Sequence, residues 1–571
     1  MNSVVLVVIG LAIILAGYVL YSRYLSQRVY RLSPSFLTPS REFNDGVDYV
    51  PTNKFVLWGH HFTSVAGAAP IVGPAVAVIW GWLPAFLWVT VGTVFFAGMH
   101  DLGALWASVR NKGRSIGSLS GSYIGGRGRN LFLVVIFLLL LMVNAVFAVV
   151  ISNLLVAQPT AVIPVWGAIV VAVLIGQAIY RMRWNLPLVS VVGVVALYSL
   201  ILLGDRFPIE LPDTILGLSA GAFWIIVLFL YAGVASLLPV WMLLQPRDYI
   251  NGLQLFIGLG ILYAAILISS PTIVAPAYNA DVPEGTPGLV PLLFVTIACG
   301  AISGFHGMVS SGTSSKQLEK ETDARFVGYF GAVGEGMLAL GTIIVVTAGF
   351  ETLAAWEETY SAFNEGGVVT FVSSGGSILE NGLGLPVSLS ATILATMAVL
   401  FAATTMDTSV RLQRYIVEEI GALLGRRLNT TVATVIVVLS GLALAFGADV
   451  SGSGQGGMII WPLFGTTNQL LAALTLSIIT VMLVRKRRPY LPVLLPLLFV
   501  LVMTVYALLV QVVSFYNEGN WLLLVLDIVI LVAAVWVVTE AAMAIARARN
   551  EAPEPDDDEL AEANTRDETS G

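Results

Sequence analysis

The sequence predicts an all-α polytopic membrane protein with about fifteen transmembrane helices. Of its 571 residues, 57% are hydrophobic and only 11% are charged, whereas roughly 25% of residues are charged in soluble domains. This composition excludes a soluble globular protein. Apolar stretches of roughly 20 residues, the length that crosses a bilayer, recur at 2–21, 55–80, 82–108, 131–156, 161–180, 187–203, 218–244, 253–274, 289–311, 326–349, 386–405, 430–448, 459–484, 490–512 and 520–546.

The distribution of lysine and arginine supports this number of spans. If the N-terminus is outside, every second connection faces the cytoplasm, and these connections hold all the basic residues except Arg206. One missed or added span would destroy the alternation, so the positive-inside rule supports both the count and the orientation. The first segment has no preceding positive charge and no small-residue cleavage site, so we expect a retained span. The C-terminus is then expected in the cytoplasm.

The second predicted span, 55–80, is interrupted at its centre by Gly67, Pro70, Gly73 and Pro74. A helix that opens at membrane depth exposes backbone groups, which is tolerated only where they line a cavity or bind something. We therefore predict a discontinuous helix here.

The seventh predicted span, 218–244, offers a counterpart that runs the opposite way across the membrane. Gly233, Ser236 and Pro239 are predicted to break it. Two such helices, five spans apart, are expected if spans two to six and seven to eleven are inverted repeats. The alternative is a proline kink in an ordinary helix.

The four histidines all fall within predicted spans. Ionisable groups inside a membrane are costly and point to function, although a buried histidine in a soluble protein is most often a packed core residue. With a helical rise of 1.5 Å, His100, His306 and Glu335 each lie about 15 Å from the nearest cytoplasmic base, close to the midplane of a ~30 Å core. His60 and His61 lie about 9 to 10 Å deep. Together with Asp101, these residues predict one polar centre.

The ninth predicted span, 289–311, places several hydroxyl groups beside His306. An oxygen-rich surface suits a proton path or Na⁺, with Glu335 as a carboxylate partner, whereas small residues also permit close helix packing. The hydroxyl groups belong to Ser310, Ser311, Thr313 and Ser314.

Two further polar patterns have structural interpretations. Asp407 and Arg411 are four residues apart, a spacing that favours a salt bridge along one helix. Asn468 and Gln469 are expected to bond neighbouring helices.

Two hydrophilic stretches complete the chain. The acidic outer loop 350–385 is either a partly structured lid or a surface excursion with a short helix. The acidic stretch 550–571 is predicted to be a disordered cytoplasmic tail.

Five motifs, in order, resemble the carbon starvation protein A family. They span about residues 40 to 485 and read GHHFTSVAGAAPIVGP at 59–74, LPVWMLLQPRDY at 238–249, SGFH at 303–306 with SSGT at 310–313, FAATTMD at 401–407 and WPLFGTTNQLL at 461–471. The resemblance implies a secondary transporter of the cytoplasmic membrane, in the amino acid/polyamine/cation superfamily. Such proteins take up small peptides or pyruvate during carbon starvation, with protons.

The resemblance also implies a five-plus-five inverted-repeat core whose second and seventh spans are unwound. We expect an N-terminal segment at 1–54, the core at 55–425 with repeats at 55–204 and 218–410, auxiliary spans at 426–549, and the tail after them. The expected substrate-binding residues are Ser64, Ala66, Gly67, Ala68, Gly233 and Ser236. The expected ion-coupling residues are His60, His61, Asp101, His306, Ser310, Ser311 and Glu335.

Other function classes agree less well with the sequence. A membrane-embedded metal-dependent hydrolase would use the paired histidines, but no His-Glu-x-x-His pattern occurs and Cys299 is the single cysteine. A channel is disfavoured because paired broken helices suit alternating access. A Na⁺-coupled carrier of another small carboxylate stays open, as does the oligomeric state. No enzymatic activity, cofactor, metal or nucleic-acid partner is expected.

Overall fold

The computed structural model describes residues 1–46, 48–239, 242–363, 366–448 and 456–552. Within these ranges the protein is helical except for one small hairpin, in which the strands Thr214–Ile215 and Leu218–Ser219 pair antiparallel. This confirms the predicted all-α class. Most of the predicted acidic tail lies outside the described residues.

Thirteen helices in the described part of the chain are long and apolar enough to cross a membrane, and a bent pair brings the number to 14. The thirteen are Ser3–Val29, Trp82–Val109, Gly126–Ala157, Pro159–Ile179, Leu186–Arg206, Ala220–Leu237, Leu244–Ser269, Glu321–Ala348, Val387–Leu423, Thr430–Gly447, Gly456–Arg485, Leu491–Asn517 and Trp521–Asn550. Shorter helices are Pro39–Glu42, Ile116–Tyr123, Leu289–Thr296, Gly304–Gly312, Ser314–Lys316, Leu353–Thr359 and Val368–Leu383.

The bent pair consists of Lys54–Val65 and Ala69–Trp80, which meet at 50°. We call it the first broken span. The chain leaves the helical conformation at Ala66, with φ −80° and ψ 51°. Pro70 opens the second half, where its fixed φ suits a helix start and its missing N–H costs nothing. The predicted break in the second segment is therefore confirmed.

The other break lies in the ninth predicted segment. This segment forms two short helices, Leu289–Thr296 and Gly304–Gly312, with non-helical chain between them in which Gly300 has φ +92°. We call this pair the second broken span. Neither half is long enough to cross a membrane alone.

The predicted break in the seventh segment is wrong. The helix Ala220–Leu237 runs continuously through Gly233 and Ser236. The Ser236 hydroxyl donates to the Gly233 carbonyl oxygen at 2.8 Å, so it bonds its own helix rather than opening it. The helix ends before Pro239, which has no N–H to continue it. The five-plus-five repeat calls for breaks in the second and seventh segments, but the two breaks fall in the second and ninth. The repeat therefore stays a prediction.

The two broken spans pack against each other at their breaks. A methyl group added at Gly73 would lie 2.4 Å from the Thr296 carbonyl oxygen, and one added at Gly300 would lie 3.9 Å from Cα of Pro70. Only glycine permits such an approach at Gly73, because the obstacle is backbone rather than a flexible side chain. The unwound segments therefore adjoin.

The helix Gly456–Arg485 supplies the polar groups that the second broken span lacks. Asn468 Oδ1 accepts a hydrogen bond of 3.0 Å from the Phe305 N–H, and Gln469 Nε2 donates to the Phe294 carbonyl oxygen at 2.5 Å. The ends of helices leave backbone groups unpaired, and lipid offers no replacement partner. This confirms that Asn468 and Gln469 bond neighbouring helices.

The outer loop 350–385 is structured over its described residues. It contains Leu353–Thr359 and Val368–Leu383. Tyr360 Oη donates to the Ala75 carbonyl oxygen at 2.7 Å, and Trp356 is buried beside it. The loop thus packs onto the end of the first broken span.

The contact between the broken spans can be tested with two glycine substitutions. We expect Gly73→Ala to lower the free energy of unfolding by about 1–3 kcal/mol, the usual cost of overpacking, because the added methyl group meets the Thr296 carbonyl. The measurement is the thermal unfolding midpoint of the purified protein in detergent. Gly59→Ala is the control, since no atom lies within 4 Å of the added group. Equal midpoints for both variants would contradict this packing.

Candidate functional site

A chain of four ionisable side chains lies in the protein interior, and we call it the buried tetrad: His100, Asp101, His306 and Glu335. The two Asp101 carboxylate oxygens pair with Nδ1 of His100 and Nδ1 of His306, each at 2.8 Å. Nε2 of His306 lies 3.0 Å from Glu335 Oε2. All four side chains are fully buried. The imidazole of His306 is therefore held between two carboxylates.

Three helices bring the tetrad together. His100 and Asp101 lie on Trp82–Val109, His306 on the half-helix Gly304–Gly312, and Glu335 on Glu321–Ala348. A methyl group at Gly307 would lie 3.2 Å from His100 Cε1. The glycine that follows His306 therefore leaves room for the imidazole ring of His100.

The tetrad combines two carboxylates with two imidazoles. A buried carboxylate is costly unless a partner compensates its charge, and here each carboxylate has an imidazole partner. Histidine is the side chain that changes charge near neutral pH. A proton that arrives at the tetrad or leaves it would change the charge of this buried site by one unit.

The predicted polar centre is thus present in part. The structure joins His100, Asp101, His306 and Glu335, as predicted, whereas His60 pairs with Asp248 and His61 bonds Ser314 instead of a tetrad member. His61 is buried with Nδ1 2.8 Å from Ser314 Oγ.

The two predicted serines of the ninth segment have different surroundings. Ser311 Oγ donates to the Gly307 carbonyl oxygen at 2.7 Å and accepts from the Ile116 N–H at 2.9 Å. Ser310 Oγ is buried and has no hydrogen-bond partner among the described residues.

A cavity of about 400 Å³ opens beside the first broken span. Its polar and charged lining includes His60, Ser64, Asp248, Thr313, Lys316 and Arg411. Ser64 lies in the last turn before the break, and its hydroxyl donates to Asp248 Oδ2 at 3.4 Å. Nδ1 of His60 is 3.2 Å from the same oxygen.

The other predicted substrate residues do not line this cavity. Ala66, Gly67 and Ala68 form the break itself and are packed inside the protein; a methyl group at Gly67 would lie 2.5 Å from the Phe147 ring. Gly233 and Ser236 belong to the continuous helix Ala220–Leu237. The carbonyl of Ser236 accepts from Arg414 Nη1 at 2.8 Å.

The sequence reasoning missed Asp248 and mispaired Asp407. The predicted Asp407–Arg411 bridge is wrong, because Asp407 Oδ2 accepts from Arg247 and, at 2.8 Å, from Tyr231 Oη. Arg411 Nη2 instead donates to the carbonyl oxygens of Ala235 and Leu238, at 3.0 and 2.6 Å. The sequence signal for both residues was the adjacent pair Arg247-Asp248 at the start of an apolar helix. Neighbouring residues of a helix point in different directions, so each of these costly charges needs its own partner.

One trio of side chains has the chemistry of a metal site. Single ligand atoms of Cys299, His306 and Glu335 all lie within 4.8 Å of one another. However, the His306 ring nitrogens already face Asp101 and Glu335, and Cys299 Sγ bonds Ser303 Oγ and Asn468 Nδ2, each at 3.3 Å. The contacts favour an ion-paired, hydrogen-bonded cluster over a ligand set.

The chain matches the family model "Carbon starvation protein CstA" over residues 2–351 and 348–507. The chain belongs to the CstA family. A relative described as the peptide transporter CstA of Campylobacter jejuni subsp. jejuni is 33% identical over 599 residues, which cover 91% of this chain and 81% of that protein. The pyruvate/proton symporter BtsT of Escherichia coli K12 is 36% identical over 361 residues, or 60% of this chain and 48% of BtsT.

Solved structures offer a more distant likeness to this CstA-family chain. A manganese transporter of Eremococcus coleocola has 10% sequence identity and a TM-score of 0.49, with 88% of this chain and 99% of that chain covered. A likeness at this level carries no functional argument.

The support that Asn468 gives to the half-helix of His306 is open to measurement. We expect Asn468→Ala to destabilise the protein by about 1–3 kcal/mol, because it leaves the buried Phe305 N–H unpaired. The exposed Asn517, on the helix Leu491–Asn517, gives the control variant Asn517→Ala. Thermal unfolding in detergent compares the two. If Asn468→Ala unfolds at the same temperature as its control, water or another group replaces the amide.

Proposed function

We propose that this protein imports small peptides or pyruvate across the cell membrane by alternating access, driven by protons. The printed names of its relatives, a peptide transporter and a pyruvate/proton symporter, support this assignment. Two broken spans that adjoin next to a cavity support it further, because discontinuous helices of this kind carry substrate and ion sites in secondary transporters.

The cavity is where the substrate enters. Its mouth includes Lys316, Gln317 and Glu419, which belong to connections expected in the cytoplasm, with the N-terminus outside. At the opposite end of the first broken span, Tyr360 bonds the Ala75 carbonyl oxygen and Asn279 Nδ2 bonds the Ile79 carbonyl oxygen at 2.9 Å. An open inner side with a covered outer side corresponds to an inward-facing conformation.

The first broken span contributes two helix ends to the substrate site. The helix Lys54–Val65 presents the negative end of its dipole at the break, and Ala69–Trp80 presents the positive end of its own dipole there. We assign Ser64 and the break at Ala66, Gly67 and Ala68 to substrate contact after a small rearrangement.

The buried tetrad is the coupling site in this proposal. The half-helix Gly304–Gly312 carries His306 into the tetrad and presents Met308, Ser311 and Gly312 to the cavity. One rigid element of nine residues therefore touches both sites. Protonation of the tetrad and occupation of the cavity bias the position of the same half-helix, which is the requirement for coupled transport. This shared element is the observation that carries the proposal.

Uptake by proteoliposomes under an imposed pH gradient tests the coupling. We expect Glu335→Gln to abolish gradient-driven uptake of labelled pyruvate or dipeptide, because the tetrad loses one of its two negative charges. Asp527→Asn is the matched control. Asp527 is an equally buried carboxylate on Trp521–Asn550, outside the tetrad and the cavity lining.

The outcome also separates the alternatives. Unchanged uptake by Glu335→Gln would contradict the assignment of the tetrad to coupling. Uptake that follows a sodium gradient and ignores the pH gradient would favour the Na⁺-coupled carrier. Stoichiometric zinc in the purified protein together with hydrolysis of a peptide would favour the membrane hydrolase.

A further inference from the structure

Asp248 is a buried carboxylate with one unoccupied oxygen at the cavity. Only 1% of the residue surface is exposed, and the residue lines the cavity. Its Oδ2 faces His60 Nδ1 at 3.2 Å and Ser64 Oγ at 3.4 Å. Its Oδ1 has no hydrogen-bond partner among the described residues. A buried carboxylate oxygen without a hydrogen-bond donor costs free energy. A ligand that donates to this oxygen therefore gains more binding free energy than it would at an exposed acid.

Arg411 supplies a positive charge to the same cavity. Its Nη2 is fixed by the carbonyl oxygens of Ala235 and Leu238, at the end of Ala220–Leu237. Its Nε is buried and has no hydrogen-bond partner among the described residues. Asp407, one turn earlier on the same helix, interacts with Arg411 electrostatically but pairs directly with Arg247. The backbone carbonyls hold the side chain in place but do not neutralise its charge.

The ion pair between Arg247 and Asp407 sets the relative level of these two groups. Asp248 adjoins Arg247 on the helix Leu244–Ser269, and Arg411 lies four residues after Asp407 on Val387–Leu423. Four residues of helix rise by about 6 Å. An extended dipeptide spans at most roughly 7 Å. The two charges therefore line one cavity from neighbouring helices, with about one helical turn between Arg411 and the Arg247–Asp407 ion pair beside Asp248.

The geometry points to a zwitterion site in this cavity, with Asp248 binding the ammonium group of the substrate and Arg411 binding its carboxylate. This inference rests on the proposed function and narrows it, because it selects substrates with a free amine. Pyruvate has a carboxylate but no amine. It leaves Asp248 Oδ1 without a donor and adds a further negative charge to a cavity that acidic residues already line.

His60 and Ser64 orient the ammonium site. The Ser64 hydroxyl donates to Asp248 Oδ2 and the His60 imidazole lies beside the same oxygen, which leaves Oδ1 for the ligand. Since Ser64 lies one residue before the end of the helix Lys54–Val65, the negative end of that helix dipole adds to the attraction for a cation.

Binding to the purified full-length protein tests the assignment with four labelled probes: alanyl-alanine, its N-acetyl derivative, its C-terminal amide, and pyruvate. We expect acetylation and amidation each to weaken binding about tenfold or more, as loss of one partner of a desolvated charge pair does. Asp248→Asn is expected to bind alanyl-alanine as weakly as the wild type binds the acetylated probe. It should leave the affinity for the acetylated probe unchanged. Arg411→Gln should behave in the same way toward the amide.

The control is Asp527→Asn, which removes a buried acid on Trp521–Asn550, outside the cavity lining. The control should bind all probes like the wild type. Three results would each overturn the zwitterion site: equal wild-type affinity for free and acetylated dipeptide, a parallel loss of both by Asp248→Asn, or no dipeptide binding by the wild type. If the wild type binds no dipeptide but takes up pyruvate under a pH gradient, the zwitterion site is contradicted and the proposed function stands. Absence of any gradient-driven uptake would sink the proposed function itself.

Discussion

The structure depends on how the backbone groups freed by two helix breaks find partners where lipid provides none. Side chains from two helices partner the second broken span: Asn468 takes the Phe305 N–H, Gln469 bonds the Phe294 carbonyl, and Trp88 and Thr93 donate to the carbonyl oxygens of Ile297 and Gly300. In the second half of the first broken span, the Ala75 carbonyl oxygen accepts from Tyr360 of the loop 350–385. Each break is thus tied to a distant part of the chain. An unwound segment is stable in a membrane only where such partners bond its backbone groups. The same partners determine which surfaces are free to bind a ligand.

The location of the breaks explains why the charged groups form two sites. The half-helix Gly304–Gly312 is too short to cross the membrane, yet it carries His306 into the dry tetrad and lines the cavity with Ser311. Each carboxylate of the tetrad has an imidazole partner, which offsets the cost of burial. Asp248 and Arg411 instead face the cavity with unfilled hydrogen-bonding capacity. One site is suited to a proton and the other to a solute, and one half-helix contacts both.

Much of the fold was predictable from hydropathy and charge, because a membrane imposes span length and basic-residue placement directly. Helix-depth arithmetic also brought Asp101, His306 and Glu335 into one centre, and the residues that break the second span were recognisable. The second break was placed in the wrong segment, since Gly233 and Ser236 are as compatible with a continuous helix as with a break. Pairing across helices was equally hidden. Whether Asp407 meets Arg411 on its own helix or Arg247 on another depends on helix rotation, which one sequence does not specify.

Proton movement driven by substrate, with no pH gradient imposed, tests the coupling by the tetrad most directly. Proteoliposomes that contain a pH-sensitive dye would be given an inward substrate gradient, and exchange of labelled for unlabelled substrate would be followed in parallel. For the wild type, the lumen is expected to acidify as substrate enters. Asp101→Asn is expected to keep substrate exchange while it loses the acidification, because the carboxylate that joins the two histidines has lost its charge. Acidification by Asp101→Asn at the wild-type rate would contradict the account.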